Sequence, residues 1–283
     1  MMSNALLPFF HWLRLTRPWN VLAMGGMVWI VMRWLGSDLA ALWHLGQSGW
    51  IVVPMLVGAA GNLINDYFDV REDRINKPNR ALVGRLVKRR VVVVTHWGFT
   101  IAALCWSGWL ASNADTSWPI VMVALFSVVL YVYSPMLKGN GALGNVTISI
   151  CVGGLVIWAA MGSDALDSVE AWTFALLLAV LNFIREWVKD VQDKEGDRAA
   201  RHNTMAMRLN PDQNRIGVLF GLALTGIMVV LWSAKVAIAL PAILTWAAIH
   251  LATMLKAFNA NYKSLSAWIK ALMGALFLLV VQL

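Results

Sequence analysis

A chain of 283 residues that is 59% hydrophobic and only 13% charged, with a mean hydropathy of +0.65, has too little polar surface to fold as an ordinary soluble domain. Its 23 Lys and Arg against 15 Asp and Glu give a formal net charge of +8. In so apolar a chain this excess speaks for membrane topology and an anion site, and nucleic-acid binding is set aside. Two cysteines, Cys105 and Cys151, both inside apolar runs, exclude a disulfide framework or a thiolate metal site.

In chain order, no basic residue precedes Arg14 and the first apolar run continues into a full span, so no cleaved signal peptide is expected. Stretches of spanning length, roughly 17 to 25 residues, are expected at 18–35, 50–67, 90–110, 118–133, 143–161, 171–188, 216–233, 236–255 and 266–283. This predicts an all-α integral membrane bundle of about nine transmembrane helices, one domain over residues 1–283. Eight is the alternative, because only Ser233, Ala234 and Lys235 interrupt the seventh and eighth runs. Trp19, Trp34, Trp50, Trp118, Trp172 and Trp232 lie near the ends of apolar runs, where an amphipathic ring suits the membrane interface.

Loop charges orient the bundle. With the N-terminus inside, the inner loops collect Arg14, the basic residues of 71–90, Lys138, those of 185–215, Lys256 and Lys263. The outer loops hold Asp38, Asp115, Asp164, Asp167 and Glu170, with Arg33 and Lys235 as basic exceptions. The positive-inside bias therefore predicts a cytoplasmic N-terminus and a site opening to the cytoplasmic side of the inner (cytoplasmic) membrane.

The long polar stretch GNLINDYFDVREDRINKPNR, residues 61–80, ends the second expected span. On one continuous helix, Asn62, Asn65, Asp66, Asp69 and Asp73 share a face. Carboxylates so close repel one another unless a cation sits among them, and oxygen ligands favour a hard divalent ion such as Mg²⁺. Arg71, Arg74, Lys77 and Arg80 follow directly and, with such an ion, suit a diphosphate. The spacing D-x2-D-x3-D of Asp66, Asp69 and Asp73 recurs in Asp190, Asp193 and Asp197, half the chain later and also at an inner helix end. The repetition predicts two pseudo-repeat halves, each bringing one acidic helix end to a shared cavity.

The runs NDYFDVRED (65–73) with RINKPNRALVG, and REWVKDVQDKEGDRAA (185–200), resemble the two signature motifs of the UbiA superfamily of intramembrane prenyltransferases. LRLTRPWN (13–20) and YSPMLKGNGALGN (133–145) are similar to two smaller signatures of that family. The resemblance implies nine helices around a central cavity, a polyprenyl diphosphate donor, and Mg²⁺, two ions in the present reading. By carry-over, Asn65, Asp69 and Asp73 hold one ion and Asp190, Asp193 and Asp197 the other. Asp66 orients the acceptor or takes its proton. Lys77, Arg80, Lys138, Lys194 and Arg198 are expected at the diphosphate. Arg17, Asn20, Asn62, Tyr133, Ser134, Asn145, Arg185 and Lys189 are expected around the substrates. A cavity within the bilayer also protects an allylic cation from water, and an aromatic face such as Tyr133 shields it.

The motif details look closest to the branch named for geranylgeranylglycerol-phosphate geranylgeranyltransferases, through Arg185-Glu186, Glu195-Gly196-Asp197-Arg198 and Ile75-Asn76-Lys77-Pro78. A lipid-phosphate acceptor needs an extra cation, and Arg185, Lys189 and Arg201 are available. The rival is an aromatic acceptor of quinone synthesis, of hydroxybenzoate, naphthoate or homogentisate type. Arg80-Ala81 and Asn203-Thr204-Met205 depart from the Arg-Pro and Thr-Leu-Pro of the family pattern. A cation-coupled transporter is the reading from another class, but it would bury its ionisable residues nearer mid-membrane than these.

Overall fold

The computed structural model describes residues 7–38, 47–76, 78–79, 81–236 and 238–283. Leu7–Thr16 (α1) is a short helix that turns at Arg17, which has a positive φ of 54°, into Pro18–Trp34 (α2). There follow Gly49–Phe68 (α3), Val70–Asn76 (α4), Arg89–Asn113 (α5) and Trp118–Val132 (α6). A π-helical turn at Tyr133–Leu137 extends α6. Next come Asn140–Gly141 (β1), Leu143–Gly162 (α7), Val169–Gln192 (α8), Lys194–Ala199 (α9), Asn203–Thr204 (β2) and Met205–Arg208 (α10). The chain ends with Pro211–Ser233 (α11), Leu240–Phe258 (α12) and Tyr262–Val281 (α13).

Eight of these, α3, α5, α6 with its π-turn, α7, α8, α11, α12 and α13, are long and apolar enough to cross a bilayer. The first expected span, 18–35, forms the 17-residue α2, about 26 Å of helix, at the short limit for crossing. The narrow interruption at Ser233–Lys235 proves to be a break between two helices, because α11 ends at Ser233 and α12 begins only at Leu240.

Helix α8 is the centre of the bundle. It packs against α7, α11 and α13, while α3 packs against α2, α5 and α6. The apolar face of α8 (Phe174, Leu177, Leu178, Leu181, Ile184 and Val188) is fully enclosed, recurring every three to four residues as one helical stripe requires. Small residues set the spacing: a Cβ on Gly153 of α7 would stand 2.8 Å from the Ala175 carbonyl of α8, so only glycine permits this approach.

The tryptophans divide into two groups. Trp19, Trp118 and Trp172 are exposed, as interfacial rings would be. Trp232 instead stacks on Phe174 at 5.2 Å and meets Trp34 edge-on, and Trp50 packs against Trp158 at 5.0 Å. These inner rings are core, because α11 turns Trp232 toward α2 and α8 and α3 turns Trp50 toward α7. At the end of the bundle away from the acidic motifs, Ser37 donates a hydrogen bond to Ser163 at 2.8 Å, joining the α2 and α7 termini.

Candidate active site

The two acidic motifs are built alike. Residues 61–76 form two helices in place of one continuous helix: α3 stops at Phe68 and Asp69, with φ −81° and ψ 10°, opens the turn into α4. Asp193 does the same between α8 and α9, with φ −95° and ψ 11°. Both middle aspartates therefore lie in the bridge region of backbone space. The hydrogen bonding also repeats. The Asp69 N–H donates to Asn65 at 2.8 Å and the Asp193 N–H to Lys189 at 2.8 Å, while Asp73 and Asp197 donate back to the carbonyls of Asp69 and Asp193.

The short helices α4 and α9 pack on each other, so the motifs meet. Asn76 fastens them. Its amide donates to the Asp193 carbonyl at 3.1 Å and its oxygen accepts the Gly196 N–H at 3.0 Å. Asp193 is at the N-cap position of α9 yet makes no side-chain cap bond, and Asn76 supplies the missing acceptor from another helix.

A third segment enters between them. Pro135 lacks an N–H, and the α6 backbone passes into the wider π register there, with the Lys138 N–H reaching back to the Tyr133 carbonyl at 2.8 Å. This buries Tyr133 and Ser134 and directs Lys138 at the carboxylates. Its ammonium donates to Asp69 at 2.6 Å and also bonds Glu72. Burial works against this charge, but Asp69 and Glu72 outweigh it and hold Lys138 protonated above the usual lysine range. A Cβ on Gly144 would stand 2.8 Å from the Lys138 Cα, so glycine is what lets the start of α7 close on this turn. Asn140 and Gly141 then pair in parallel with Asn203 and Thr204. The Asn203-Thr204 departure from the family pattern thus forms part of the strand pair that joins the two loops.

From Glu72 the polar chain crosses to the second motif. His202 Nε2 lies 3.5 Å from Glu72, and its Nδ1 lies 3.7 Å from Asp197. Asp197 beside it raises the His202 pKa, burial opposes that, and Glu72 adds to the rise. Burial raises the Glu72 pKa, against the pull of Lys138. Glu72, Asp197 and His202 each place one ligand-capable atom within 4.8 Å of the others. Asp197 Oδ2 is buried and has no hydrogen-bond partner.

The other expected residues come from several helices around this centre. Ser134 donates to Asn65 at 3.2 Å, and Asn145 donates to Asp190 at 2.9 Å, orienting one polar oxygen in each half. Arg17 pairs with Asp66, and Asn62 donates to the Thr16 carbonyl at 3.0 Å, locking the α1–α2 corner to α3. Asn20 follows Arg17 by one turn of α2. Arg185 and Lys189 both pair with the buried Glu186, at 2.6 and 2.7 Å. Lys194 and Arg198 lie on α9, where burial and then the Arg198 charge lower the Lys194 pKa. Lys77 and Arg80 lie outside the described residues.

Four participants escaped the sequence reading: Glu72, Asn76, Glu186 and His202. Glu72 fell between the counted aspartates, and Asn76 and Glu186 lay in quoted motifs without a role. His202 gave no spacing signal, because only the pairing of β1 with β2 brings it to Glu72.

The UbiA prenyltransferase family profile matches residues 19–280 of the chain. A digeranylgeranylglyceryl phosphate synthase from Methanopyrus kandleri is 35% identical over 176 residues, 61% of this chain and 62% of the relative. One from Thermococcus kodakarensis is 29% identical over 218 residues, 76% of this chain and 74% of the relative. The match thus spans less than two thirds of the Methanopyrus kandleri relative. The fold is similar to that of a solved structure described as digeranylgeranylglyceryl phosphate synthase in membranes, with a TM-score of 0.71 at 21% identity, covering 97% of both chains. It is also similar to that of a UbiA homolog from Archaeoglobus fulgidus bound to GPP and Mg²⁺, with a TM-score of 0.61 at 14% identity, covering 96% of this chain and 100% of that one.

Proposed function

The chain belongs to the UbiA prenyltransferase family, and from that premise we propose that it transfers a prenyl group from an allylic prenyl diphosphate to a glyceryl phosphate lipid in the membrane, releasing diphosphate. One observation carries this reading: two aspartate motifs from separate halves of the chain, at the same end of the bundle, are tied into one centre by Asn76 and His202. The named relatives support the acceptor class, since they are digeranylgeranylglyceryl phosphate synthases. Quinone synthesis from aromatic acids has no support among them and drops out. A transporter reading does not account for the family match.

Mg²⁺, bound with GPP in the Archaeoglobus fulgidus homolog, suits the donors here. Asn65, Asp69 and Asp73 would hold one ion and Asp190, Asp193 and Asp197 a second, and the unpartnered Asp197 Oδ2 offers such an ion a ligand. When bound, the metal supplies positive charge to the departing diphosphate.

The remaining work belongs to the chain. Lys138 keeps Asp69 and Glu72 from repelling each other, so its first task is to hold the carboxylates in place. Lys194 and Arg198, on the outer side of the second motif, are assigned to the diphosphate together with Lys77 and Arg80. Tyr133, buried beside Ser134, keeps water from the allylic carbon. Asp66, held by Arg17, is assigned to the acceptor hydroxyl, whose proton must leave as its oxygen bonds to the prenyl carbon. Arg17, Asn20, Asn62, Arg185 and Lys189 form the acceptor side. The loop charges support a cytoplasmic N-terminus, with this centre at the cytoplasmic face of the inner membrane and residues 1–283 acting as one domain.

The test is purified protein with a radiolabelled prenyl diphosphate, Mg²⁺ and a monoprenylated glyceryl phosphate, with the product identified by mass. Transfer is expected in the wild type and its loss in Asp69→Ala and Asp193→Ala. Undiminished transfer in both variants would remove the assignment.

A further inference from the structure

Lys270 is the one charged residue in the interior of α13, far from both aspartate motifs in sequence. A lysine inside a spanning helix is costly unless it faces a cavity or a partner. Among the described residues, no carboxylate forms an ion pair with it.

Its neighbours follow from the helix register. Gln192, the last residue of α8, donates a hydrogen bond to the carbonyl of Tyr262, the first residue of α13, so these two helix ends lie level. Lys270 is roughly 12 Å along α13 from that point, and Arg185 is about 10 Å back along α8. The two cations therefore share one depth on helices that pack together. Lys270 is within electrostatic reach of Arg185, Lys189, Glu186 and Arg17.

Charge does not balance there. Glu186 is shared by Arg185 and Lys189, and the partner of Arg17 is Asp66. Asp190, beside Lys189, is a third carboxylate in reach, so Arg17, Arg185, Lys189 and Lys270 keep a surplus of about one positive charge, which favours an anion such as a phosphomonoester. Arg185 Nε is buried with no hydrogen-bond partner, an N–H donor still owed an acceptor. Lys270 is exposed on the flank of α13, so its ammonium can be reached from outside the bundle.

Resting on the prenyl-transfer reading above, we propose that Arg17, Arg185, Lys189 and Lys270 form a phosphomonoester subsite for the headgroup of the acceptor lipid. It is separate from the diphosphate site at α4 and α9, and Lys270 is its specificity-determining residue. The donor's diphosphate belongs with the motif aspartates at the α3–α4 and α8–α9 turns, whereas Arg185 and Lys270 lie about two turns back from the α8–α9 turn, with Lys189 one turn back and Arg17 at the α1–α2 corner.

The experiment compares wild type, Lys270→Met and Lys270→Arg in lipid nanodiscs, with a monoprenylated glyceryl phosphate and its dephosphorylated alcohol as acceptors. Loss of one charge-assisted contact should raise the KM for the phosphorylated acceptor about tenfold to a hundredfold in Lys270→Met. The KM for donor should stay within about threefold. Lys270→Arg should keep most of the preference for the phosphorylated acceptor. Binding of the glyceryl phosphate lipid without donor, read by tryptophan fluorescence, should weaken by the same factor in Lys270→Met. Inorganic phosphate should compete with the lipid acceptor, not with the donor.

An unchanged acceptor KM and unchanged binding in Lys270→Met would overturn the subsite while leaving prenyl transfer standing. Phosphate competition with the donor would also overturn it, by reassigning the cluster to the leaving group. If the lipid binds in a Lys270-dependent way but no donor is ever consumed, the subsite holds and the prenyl-transfer reading fails.

Discussion

Asn76→Ala cuts the fastening between the two aspartate motifs without removing any carboxylate. Asn76 makes two hydrogen bonds across the α4–α9 contact, at 3.1 and 3.0 Å, each worth about 1 kcal/mol net. The Asp193 carbonyl keeps its bond from the Asp197 N–H at 3.1 Å, so it is not stranded. The Gly196 N–H, in the first turn of α9, loses its acceptor. The combined cost is about 2 kcal/mol, or about thirtyfold in the population with the motifs correctly docked.

If Mg²⁺ needs both motifs, the half-saturating Mg²⁺ for prenyl transfer should rise about thirtyfold, within the range for outer-shell substitutions. The rate should recover to within about threefold of wild type at saturating Mg²⁺, because every ligand remains. The assay is initial rate against Mg²⁺ concentration. Asn210→Ala is the control, since it breaks the capping box of α11, where Asn210 accepts the Gln213 N–H at 2.8 Å. It should cost similar stability with no Mg²⁺ shift. An unshifted Mg²⁺ midpoint in Asn76→Ala, or an equal shift in Asn210→Ala, would refute the idea that docking of the motifs builds the metal site.

Gly196→Ala should reproduce the Asn76→Ala Mg²⁺ shift, because a Cβ there would fall on the Asn76 carboxamide; a wild-type Mg²⁺ curve would count against the contact. Lys138→Met leaves Asp69 and Glu72 without their shared cation and should cost about 3 kcal/mol, read as a lower thermal midpoint in detergent. Adding Glu72→Gln should recover part of that loss, and no recovery would mean the two residues are not coupled. Replacing Cys105 and Cys151 by alanine should leave transfer within about twofold, as neither is a site residue. On that background, an impermeant thiol reagent should label a cysteine at Asp167 in intact cells and one at Lys263 only after lysis. The reverse pattern would invert the proposed topology.

The sequence by itself determined the membrane class, the span positions to within a few residues, and the two aspartate motifs. These are properties of local composition and spacing: a bilayer crossing needs a set length of apolar residues, and D-x2-D-x3-D is visible wherever it stands. It could not reveal that Asp69 and Asp193 each end a long helix, because the bend there depends on how α4 and α9 dock. Nor could it find Asn76 as the cap of a helix that begins 118 positions later in the chain. Glu72 and His202 join the centre only once the β1–β2 pair brings the two loops together. Lys270, which carried no signal in the sequence, gains a setting only when α13 is level with α8. Each of these assignments depends on contacts between distant segments, and such contacts exist only when the whole bundle is packed.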